Sequence, residues 1–384
     1  MKNKNKKSGA FGAYLMLALI GVICGLIIGI YLDSVFEEYG LFVSLLLKLL
    51  IFMLTYFVQL IIHEAGHLIA GLLSGYSFGS FRVGSVMLVK DGDKLKIKRQ
   101  TVAGTGGQCL MIPPEPVDGR LPVILYNLGG VLLNLLTLPL CVLTLQLSIG
   151  KPFAYAISVL MFLSGLLVAL TNGIPLKLGM INNDGSNARE LYKNSEAQLA
   201  FYNQFMILDK VRNGARLRDI PKKYFPMPTE EGMNNSVSAS AAVFLENYLF
   251  DCRKFDEADE LIDKLLYSDN ALIGMHRNLL VSDKIVIKLL KGETEAAKKL
   301  YNSKSYQDFK NKMKISINII RTDYAFALLC EENKKRAENI LAAFDKSAEK
   351  HPYQSDVVSE RDIISVIDEA YKNLVDLSTN GQDM

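Results

Sequence analysis

Tryptophan is absent from this chain of 384 residues, and there are only four histidines. Without tryptophan, the aromatic residues at any membrane interface would have to be tyrosine and phenylalanine. The formal net charge is only +3, which is too small to indicate a nucleic-acid-binding protein. With so few histidines in the chain, their positions within or outside the long apolar segments are informative about function.

The five cysteines are scattered along the chain and have no spacing typical of a metal site. They are Cys24, Cys109, Cys141, Cys252 and Cys330. We therefore expect free thiols in a reducing compartment and no disulfide framework.

Two of the four histidines, His63 and His67, lie one helical turn apart within the apolar run 41–73. Residues i and i+4 share one face of an α-helix, so both imidazoles can bind the same ion. Glu64 lies on the next face, where it can take a proton from a water molecule instead of binding the metal. His-Glu-x-x-His is the pattern of zinc metallopeptidases, and an ionisable cluster in a membrane helix indicates function. The alternative is a chance match or a structural metal pair on a soluble helix.

Four apolar segments are long enough to span a bilayer core of about 30 Å. They cover residues 10–32, 41–73, 121–149 and 153–175. A signal peptide is the alternative for the first segment, but no small-residue cleavage site follows it, so we expect a retained helix. Between the second and third segments, β-favouring runs flank Asp91-Gly92 and predict a hairpin.

Basic residues are unevenly distributed among the loops. The N-terminal segment has four and the loop 76–121 has seven, whereas the loop 33–40 has none and the loop 150–152 has one. The positive-inside rule places the N-terminus, the middle loop and everything after residue 175 in the cytoplasm. We therefore expect an integral, multi-pass protein of a bacterial plasma membrane with cytoplasmic N- and C-termini.

The second half of the chain is polar and has the pattern of a soluble helical domain. Three similar stretches, 252–258, 290–297 and 330–337, each combine a polar turn with an alanine-containing amphipathic helix. They recur about every 40 residues, a spacing suited to stacked helix pairs. The pattern resembles degenerate tetratricopeptide repeats, and a plain helical bundle is the alternative.

The expected fold is an all-α dominated membrane protein with about four transmembrane helices, a small β-hairpin region and a soluble α-helical repeat-like domain. The membrane-embedded domain would cover residues 1–190 and the cytoplasmic helical domain residues 191–384.

A catalytic zinc ion needs three protein ligands and an open position for water. The fourth apolar segment leads to Asn182-Asn183-Asp184-Gly185. In the topology above, Asp184 emerges on the same side of the membrane as His63 and His67. It is also the first acidic residue after the start of that segment, so it is the candidate for the third ligand.

Taken together, these motifs resemble those of the site-2 protease family of intramembrane zinc metalloproteases, over residues 41–190. The residues that carry the likeness are His63-Glu64-Ala65-Gly66-His67, Gly106-Gly107-Gln108, Gly130-Val131-Leu132-Leu133-Asn134, and Asn172-x-x-Pro175 followed by Asp184-Gly185. The chain departs from the family in having Val131 in place of proline and a longer interval between Pro175 and Asp184. The loop 76–121 is also too short for the PDZ domain that many members carry.

The resemblance implies that His63, His67 and Asp184 bind Zn²⁺ and that Glu64 is the catalytic base. The implied reaction is hydrolysis of peptide bonds in membrane-spanning or membrane-inserted substrates. Regulated intramembrane proteolysis and the processing of signal-peptide remnants or peptide pheromones both fit.

The resemblance also implies that Asn134 and Asn172 lie near the bound substrate or the developing oxyanion. Helix packing is the alternative for Asn172. The expected partners are a membrane protein or peptide substrate, the lipid bilayer and a protein that binds the C-terminal helical domain, with no nucleic acid. Two other functions remain open: an inactive membrane scaffold whose helical domain binds a protein, and a membrane zinc peptidase with a glutamate as third ligand.

Cysteine labelling can test the topology, because a reagent that cannot cross the membrane reaches only positions outside the cell. In a background without native cysteines, a cysteine near residue 36 should be labelled in intact cells, and cysteines near residues 93 and 300 should not. All three should react after the cells are opened, which controls for burial. Labelling near residue 93 in intact cells would contradict the four-span topology.

Overall fold

The computed structural model describes residues 3–91, 94–99, 105–175 and 182–380. By its internal contacts the chain divides into two compact units. The first unit comprises Met1–Gly84 and Thr105–Ser195, and the second comprises Ser85–Gly104 and Glu196–Met384. The described residues are mostly helical, with a small four-stranded antiparallel sheet. This confirms the predicted fold class at the coarse level.

Long apolar helices dominate the first unit. They are α1 (Asn3–Phe36), α2 (Gly40–Leu73), α3 (Val123–Leu147) and α4 (Pro152–Gly173), followed by the short helix α5 (Asp184–Leu191). Three helical stretches of the described chain are long and apolar enough to cross a membrane: Gly21–Leu73, Val123–Leu147 and Pro152–Gly173. The first stretch contains two helices, because a 3-10 turn at Glu37–Tyr39 separates α1 from α2. After it, Gly40 has φ 71°, which favours glycine.

Helix α1 packs against α4 through an apolar core. Its buried residues are Leu32, Phe36, Ala156, Val159, Leu160 and Leu163. The ring of Phe36 meets that of Phe153 edge-on, with centroids 5.6 Å apart. Lys48 of α2 donates a hydrogen bond to the carboxylate of Asp33, which ties α2 to the end of α1.

Helix α2 buries its polar residues and exposes its apolar ones. The buried polar side chains are Ser44, Lys48, Thr55, Gln59, His63, Glu64 and His67, which we call the polar stripe. Most of them are four or seven residues apart, the spacing of one helical face. Leu41, Phe42 and Leu73 are more than three-quarters exposed. This arrangement is the reverse of a soluble amphipathic helix and suits a helix whose outer surface meets lipid.

The strands form two antiparallel pairs. Strand β1 (Ser77–Val83) pairs with β4 (Gly107–Ile112) in the first unit, with Phe81 opposite Cys109. Strand β2 (Val86–Asp91) pairs with β3 (Lys94–Arg99) in the second unit, with Asp91 opposite Lys94. The pairing of β2 with β3 confirms the predicted hairpin, although Gly92 of its turn lies outside the described residues. Strands β1 and β4 were not predicted as a pair.

The second unit continues with nine helices of the described chain, α6 to α14. Their bounds are Ser195–Arg212, Ser236–Asp251, Phe255–Tyr267, Gly274–Leu290, Thr294–Tyr301, Lys304–Lys312, Ile317–Leu329, Lys334–Ala348 and Gln354–Asn380. Short 3-10 turns lie at Leu217–Asp219, Lys222–Tyr224 and Gly232–Asn234.

Each of the three similar sequence stretches is a turn between two helices. They join α7 to α8, α9 to α10 and α12 to α13. Each turn contains one residue with positive φ: Arg253 at 57°, Gly292 at 74° and Glu332 at 51°. The recurrence of this backbone conformation about every 40 residues fits helix pairs of a repeated type. Helix α11 interrupts the series, and the likeness to tetratricopeptide repeats stays a prediction.

An ionic cluster lies inside the second unit. Arg321 of α12 is 2% exposed, donates to Asp283 Oδ1 at 2.5 Å and stacks over the ring of Phe250. Glu246 of α7 is fully buried, and neither of its carboxylate oxygens has a hydrogen-bond partner. Burial raises the pKa of Glu246 well above its ordinary value, and Asp283 adds to the rise while Arg321 opposes it. The carboxyl of Glu246 is therefore held in its neutral form.

A buried carboxyl with a raised pKa makes stability depend on pH. Below about pH 4 both the folded and unfolded chains hold the proton; above it the unfolded chain releases it first. The stabilisation from the native carboxyl is then lost at about 1.4 kcal/mol per pH unit until the pH passes the native pKa. Glu246→Gln should therefore slow hydrogen exchange in α7 relative to the parent at pH 8, with little difference at pH 4. A difference that does not change with pH would contradict a neutral Glu246.

Candidate metal centre

Helix α2 places three functional side chains close to its C-terminal end. His63, Glu64 and His67 are 4%, 6% and 7% exposed. The helix approaches α3 closely at a pair of glycines: a Cβ on Gly66 would lie 2.8 Å from the carbonyl carbon of Gly129. Small residues at such a crossing let two backbones come together, so both imidazoles reach the surface of α3.

Asp184 is held at the first turn of α5 by its neighbour Asn183. The side-chain oxygen of Asn183 accepts the backbone N–H of Ser186 at 3.0 Å, which caps the helix. Its side-chain nitrogen donates to the carbonyl oxygens of Thr171 and Ile174 at the end of α4, at 2.8 and 2.5 Å. Asn183 therefore anchors α5 to α4 and fixes the place of Asp184, a role that we did not predict from the sequence.

Three side-chain atoms converge on one point. His63 Nε2 lies 2.9 Å from Asp184 Oδ2, and His67 Nε2 lies 3.3 Å from the same oxygen. The two Nε2 atoms are 3.1 Å apart. Within the described ranges, His63, His67 and Asp184 are the histidine, cysteine or acidic side chains whose ligand atoms lie close enough together to hold a metal ion.

The other ring nitrogen of each histidine faces a hydrogen-bond acceptor. His67 Nδ1 lies 2.8 Å from the carbonyl oxygen of Tyr126, and His63 Nδ1 lies 2.7 Å from Asn134 Oδ1. The amide orientation of Asn134 follows from its Nδ2, which donates to the backbone oxygen and to Oε1 of Gln59. Both Nδ1 atoms therefore carry a proton, so in a neutral ring the lone pair is on Nε2 and is directed toward Asp184.

With neutral imidazoles the three facing atoms are all acceptors, and a cation between them would satisfy all three. Ligand atoms about 2.0–2.1 Å from a tetrahedral ion would lie about 3.3 Å apart, close to the 2.9–3.3 Å of this site. Two imidazole nitrogens and one carboxylate oxygen are also donors that zinc accepts. Burial alone would raise the pKa of Asp184, but protonated His67 and His63 outweigh it and hold that pKa below its usual value, so a positive charge at this point stabilises the carboxylate. The residues present therefore fit a divalent metal ion such as zinc.

Glu64 stands beside this group and against β4. A Cβ on Gly107 would lie 2.7 Å from the carboxyl carbon of Glu64, so a larger residue at this position would displace the carboxylate. Arg82 of β1 is 1% exposed, donates to the carbonyl oxygens of Gly84 and Gly107, and interacts electrostatically with Glu64. Burial, with a contribution from Glu64, raises the pKa of the Cys109 thiol to about 12. Cys109 is not part of the group formed by His63, His67 and Asp184.

The two predicted asparagines have different surroundings. Asn134 is fully buried and contacts His63 directly, and its Nδ2 already donates two hydrogen bonds to Gln59. Asn172 is half-buried and donates to the carbonyl oxygen of Val168 within α4, at 2.9 Å. Contact of either residue with substrate or oxyanion stays a prediction. Gln59 had no predicted role, although its position four residues before His63 on the same helical face was a usable signal.

The chain matches no protein-family model, no curated protein and no solved structure. The resemblance to site-2 proteases therefore stays a prediction from the sequence motifs. The convergence of His63, His67 and Asp184 is a separate observation from the structure.

Two glycines offer a matched pair of tests, because each is packed against a different functional side chain. A Cβ on Gly130 would lie 2.6–2.7 Å from three ring atoms of His63, whereas a Cβ on Gly107 would meet Glu64. Gly130→Ala should therefore lower zinc affinity by about tenfold or more, as expected when a metal ligand is displaced. Gly107→Ala should displace Glu64 and leave zinc affinity as in the parent.

Zinc retained during chelator competition measures the first effect. Gly106→Ala is the control, since its new Cβ would meet only the flexible end of Leu60, at 3.1 Å. Equal zinc affinity of Gly130→Ala and Gly106→Ala would show that His63 is not a ligand.

Proposed function

We propose that this protein is an intramembrane zinc endopeptidase of the site-2 protease type. The observation that carries the proposal is the convergence of acceptor atoms from His63, His67 and Asp184 beside Glu64, at the end of a long apolar helix. Each histidine has its Nδ1 turned to an acceptor, which leaves Nε2 to bind. Such a set of residues is suited to metal-assisted hydrolysis.

The side chains have distinct tasks in the proposed reaction. Zinc, when bound, supplies a Lewis acid that polarises the scissile carbonyl and lowers the pKa of water. His63, His67 and Asp184 would hold the ion. Glu64 is outside the converging group, so its carboxylate is available to accept a proton from the attacking water and to return it to the leaving amine.

The substrate has to present an extended backbone, because a peptide bond within a helix is already hydrogen-bonded and shielded. Strand β4 passes beside Glu64 at Gly107 and pairs with β1 along one edge. A substrate segment that unwinds could add to its other edge as a further strand. This would place a peptide bond of a membrane-spanning or membrane-inserted substrate next to the base.

The proposed setting is a plasma membrane crossed by four helices, with both termini in the cytoplasm. The apolar helices of spanning length and the inward-facing polar stripe support it. The helix pairs of the second unit would offer an extended surface to a protein partner, either a substrate or a regulator.

Two variants separate catalysis from metal binding. Glu64→Gln should reduce cleavage by at least about 10²-fold, because it removes the proton acceptor, yet it should retain zinc like the parent. Asp184→Ala should lose both cleavage and zinc, because two histidines alone make a weak site. Membrane proteomes of cells with the parent and with Glu64→Gln would reveal substrates that accumulate uncleaved. If Glu64→Gln cells produced the same new peptide termini as the parent, the proposed activity would be wrong.

A further inference from the structure

A fully buried glutamine lies one helical turn before the first histidine of the metal group. Gln59 of α2 is 0% exposed, in a helix whose other faces are almost wholly apolar. Burying an amide without hydrogen-bond partners is costly, so each of its polar groups needs a partner. Its side chain has them: Oε1 accepts from Asn134 Nδ2 at 2.8 Å, and Nε2 donates to the carbonyl oxygen of Met161 at 3.2 Å.

These contacts orient three amide or imidazole groups in sequence. The carbonyl of Met161 can only accept, so the Nε2 of Gln59 must face it and Oε1 must face α3. Oε1 in turn requires a donor, which is Asn134 Nδ2. The Oδ1 of Asn134 is then turned toward His63 and accepts its Nδ1–H at 2.7 Å. Reversing any one amide would bring two donors or two acceptors together.

We propose that Gln59 is a positioning residue for the metal centre: through Asn134 it holds the His63 ring in the tautomer and orientation that direct Nε2 toward the ion. This inference rests on the proposed metal site and adds to it a hydrogen-bonded relay, which we call the Gln59–Asn134–His63 relay. It also assigns Asn134 to the ring of His63. Both hydrogens of its Nδ2 are engaged, by the backbone oxygen and by Oε1 of Gln59, so none remains for an oxyanion.

The packing around Gln59 fits a fixed position. A Cβ on Gly165 of α4 would lie 2.8 Å from Gln59 Nε2, so glycine makes room for the amide. Thr137 lies 3.4 Å from the same nitrogen and donates to the carbonyl oxygen of Asn134 at 2.7 Å. The relay therefore links α2, α3 and α4 by bonds with one compatible set of donors and acceptors.

A polar contact between membrane helices can also serve only to hold the helices together. The chain contains a matched example of that kind: Thr55, one turn earlier in α2, lies 3.1 Å from Ser164 Oγ of α4. This pair is buried and joins the same two helices, but it has no hydrogen bond to Asn134 or His63. Substituting Thr55 therefore tests the effect of losing a helix-packing contact, without a change in the hydrogen bonds to Asn134 or His63.

The test measures the zinc affinity of the full-length protein by chelator competition, together with its thermal stability after removal of zinc. Gln59→Met keeps the length of the side chain but removes both hydrogen bonds, and should weaken zinc binding about tenfold, in line with the loss of partners of metal-bound histidines. Thr55→Val should lower stability and leave zinc affinity as in the parent. Gln59→Glu keeps an acceptor for Asn134 and should stay within about threefold of the parent.

A double-mutant cycle measures the coupling between Gln59 and Asn134 in zinc binding. Asn134→Leu removes the acceptor of His63 Nδ1–H and should weaken zinc binding by about 10- to 100-fold. With Asn134 gone, Gln59→Met should weaken it no further, because the relay is already broken. Additive losses, or equal zinc affinities of Gln59→Met, Thr55→Val and the parent, would overturn the relay.

The experiments distinguish the hypothesis of a zinc site from the hypothesis that Gln59 positions His63. If the parent and Glu64→Gln both bound no zinc, the proposed function would fall as well. If the parent bound zinc and Gln59→Met bound it equally tightly, only the role of Gln59 would be wrong. Should Gln59→Met not fold, Gln59→Leu, which also removes both hydrogen bonds, takes its place in the cycle with Asn134→Leu.

Discussion

The arrangement of the first unit depends on three acceptor atoms that face one another in an apolar setting. Two imidazole nitrogens and a carboxylate oxygen lie 2.9–3.3 Å apart, and each imidazole donates its remaining N–H away from the centre. With both imidazoles neutral and no cation between them, this placement would be unfavourable, because the lone pairs of the three atoms repel. The hydrogen bonds from His63 Nδ1 to Asn134 and from His67 Nδ1 to the carbonyl oxygen of Tyr126 therefore fix the ring orientations, so that both Nε2 atoms face Asp184.

Glycine makes this density of polar groups possible. At Gly66 and Gly129 the backbones of α2 and α3 touch, and at Gly107 and Gly130 the missing Cβ leaves room for Glu64 and the ring of His63. All four glycines act through their size and not through backbone freedom, since none of them has a positive φ. Substituting Gly107 or Gly130 would move a functional side chain directly, and substituting Gly66 or Gly129 would push α2 and α3 apart. This distinguishes them from the turn glycine Gly292, whose positive φ favours glycine.

Local spacing predicted the parts of the site that lie within one helix, and loop charges with chain order predicted Asp184 as their partner. The antiparallel pair of β1 with β4, the cap provided by Asn183 and the orientation of Asn134 depend on contacts between segments distant in sequence. No local pattern specifies those contacts. Gln59 is intermediate: its spacing from His63 placed it on the histidine face, but only its partners in α3 and α4 indicate what it does. Glu246 could not be recognised as neutral, because its burial comes from the packing of the second unit.

The same bonds that orient His63 also join α2 to α3 and α4, so metal binding and helix packing are coupled. Gln59 contacts α4, Asn134 contacts α2 from α3, and Asp184 is anchored to the end of α4 by Asn183. A cation bound at the centre would draw these elements together, because its ligands would come from α2 and from the first residue of α5. Apolar packing between membrane helices adds little stability, because lipid tails are as apolar as the side chains of a neighbouring helix. In α2 the polar stripe supplies directional bonds, and at His63 those bonds become part of the proposed chemistry.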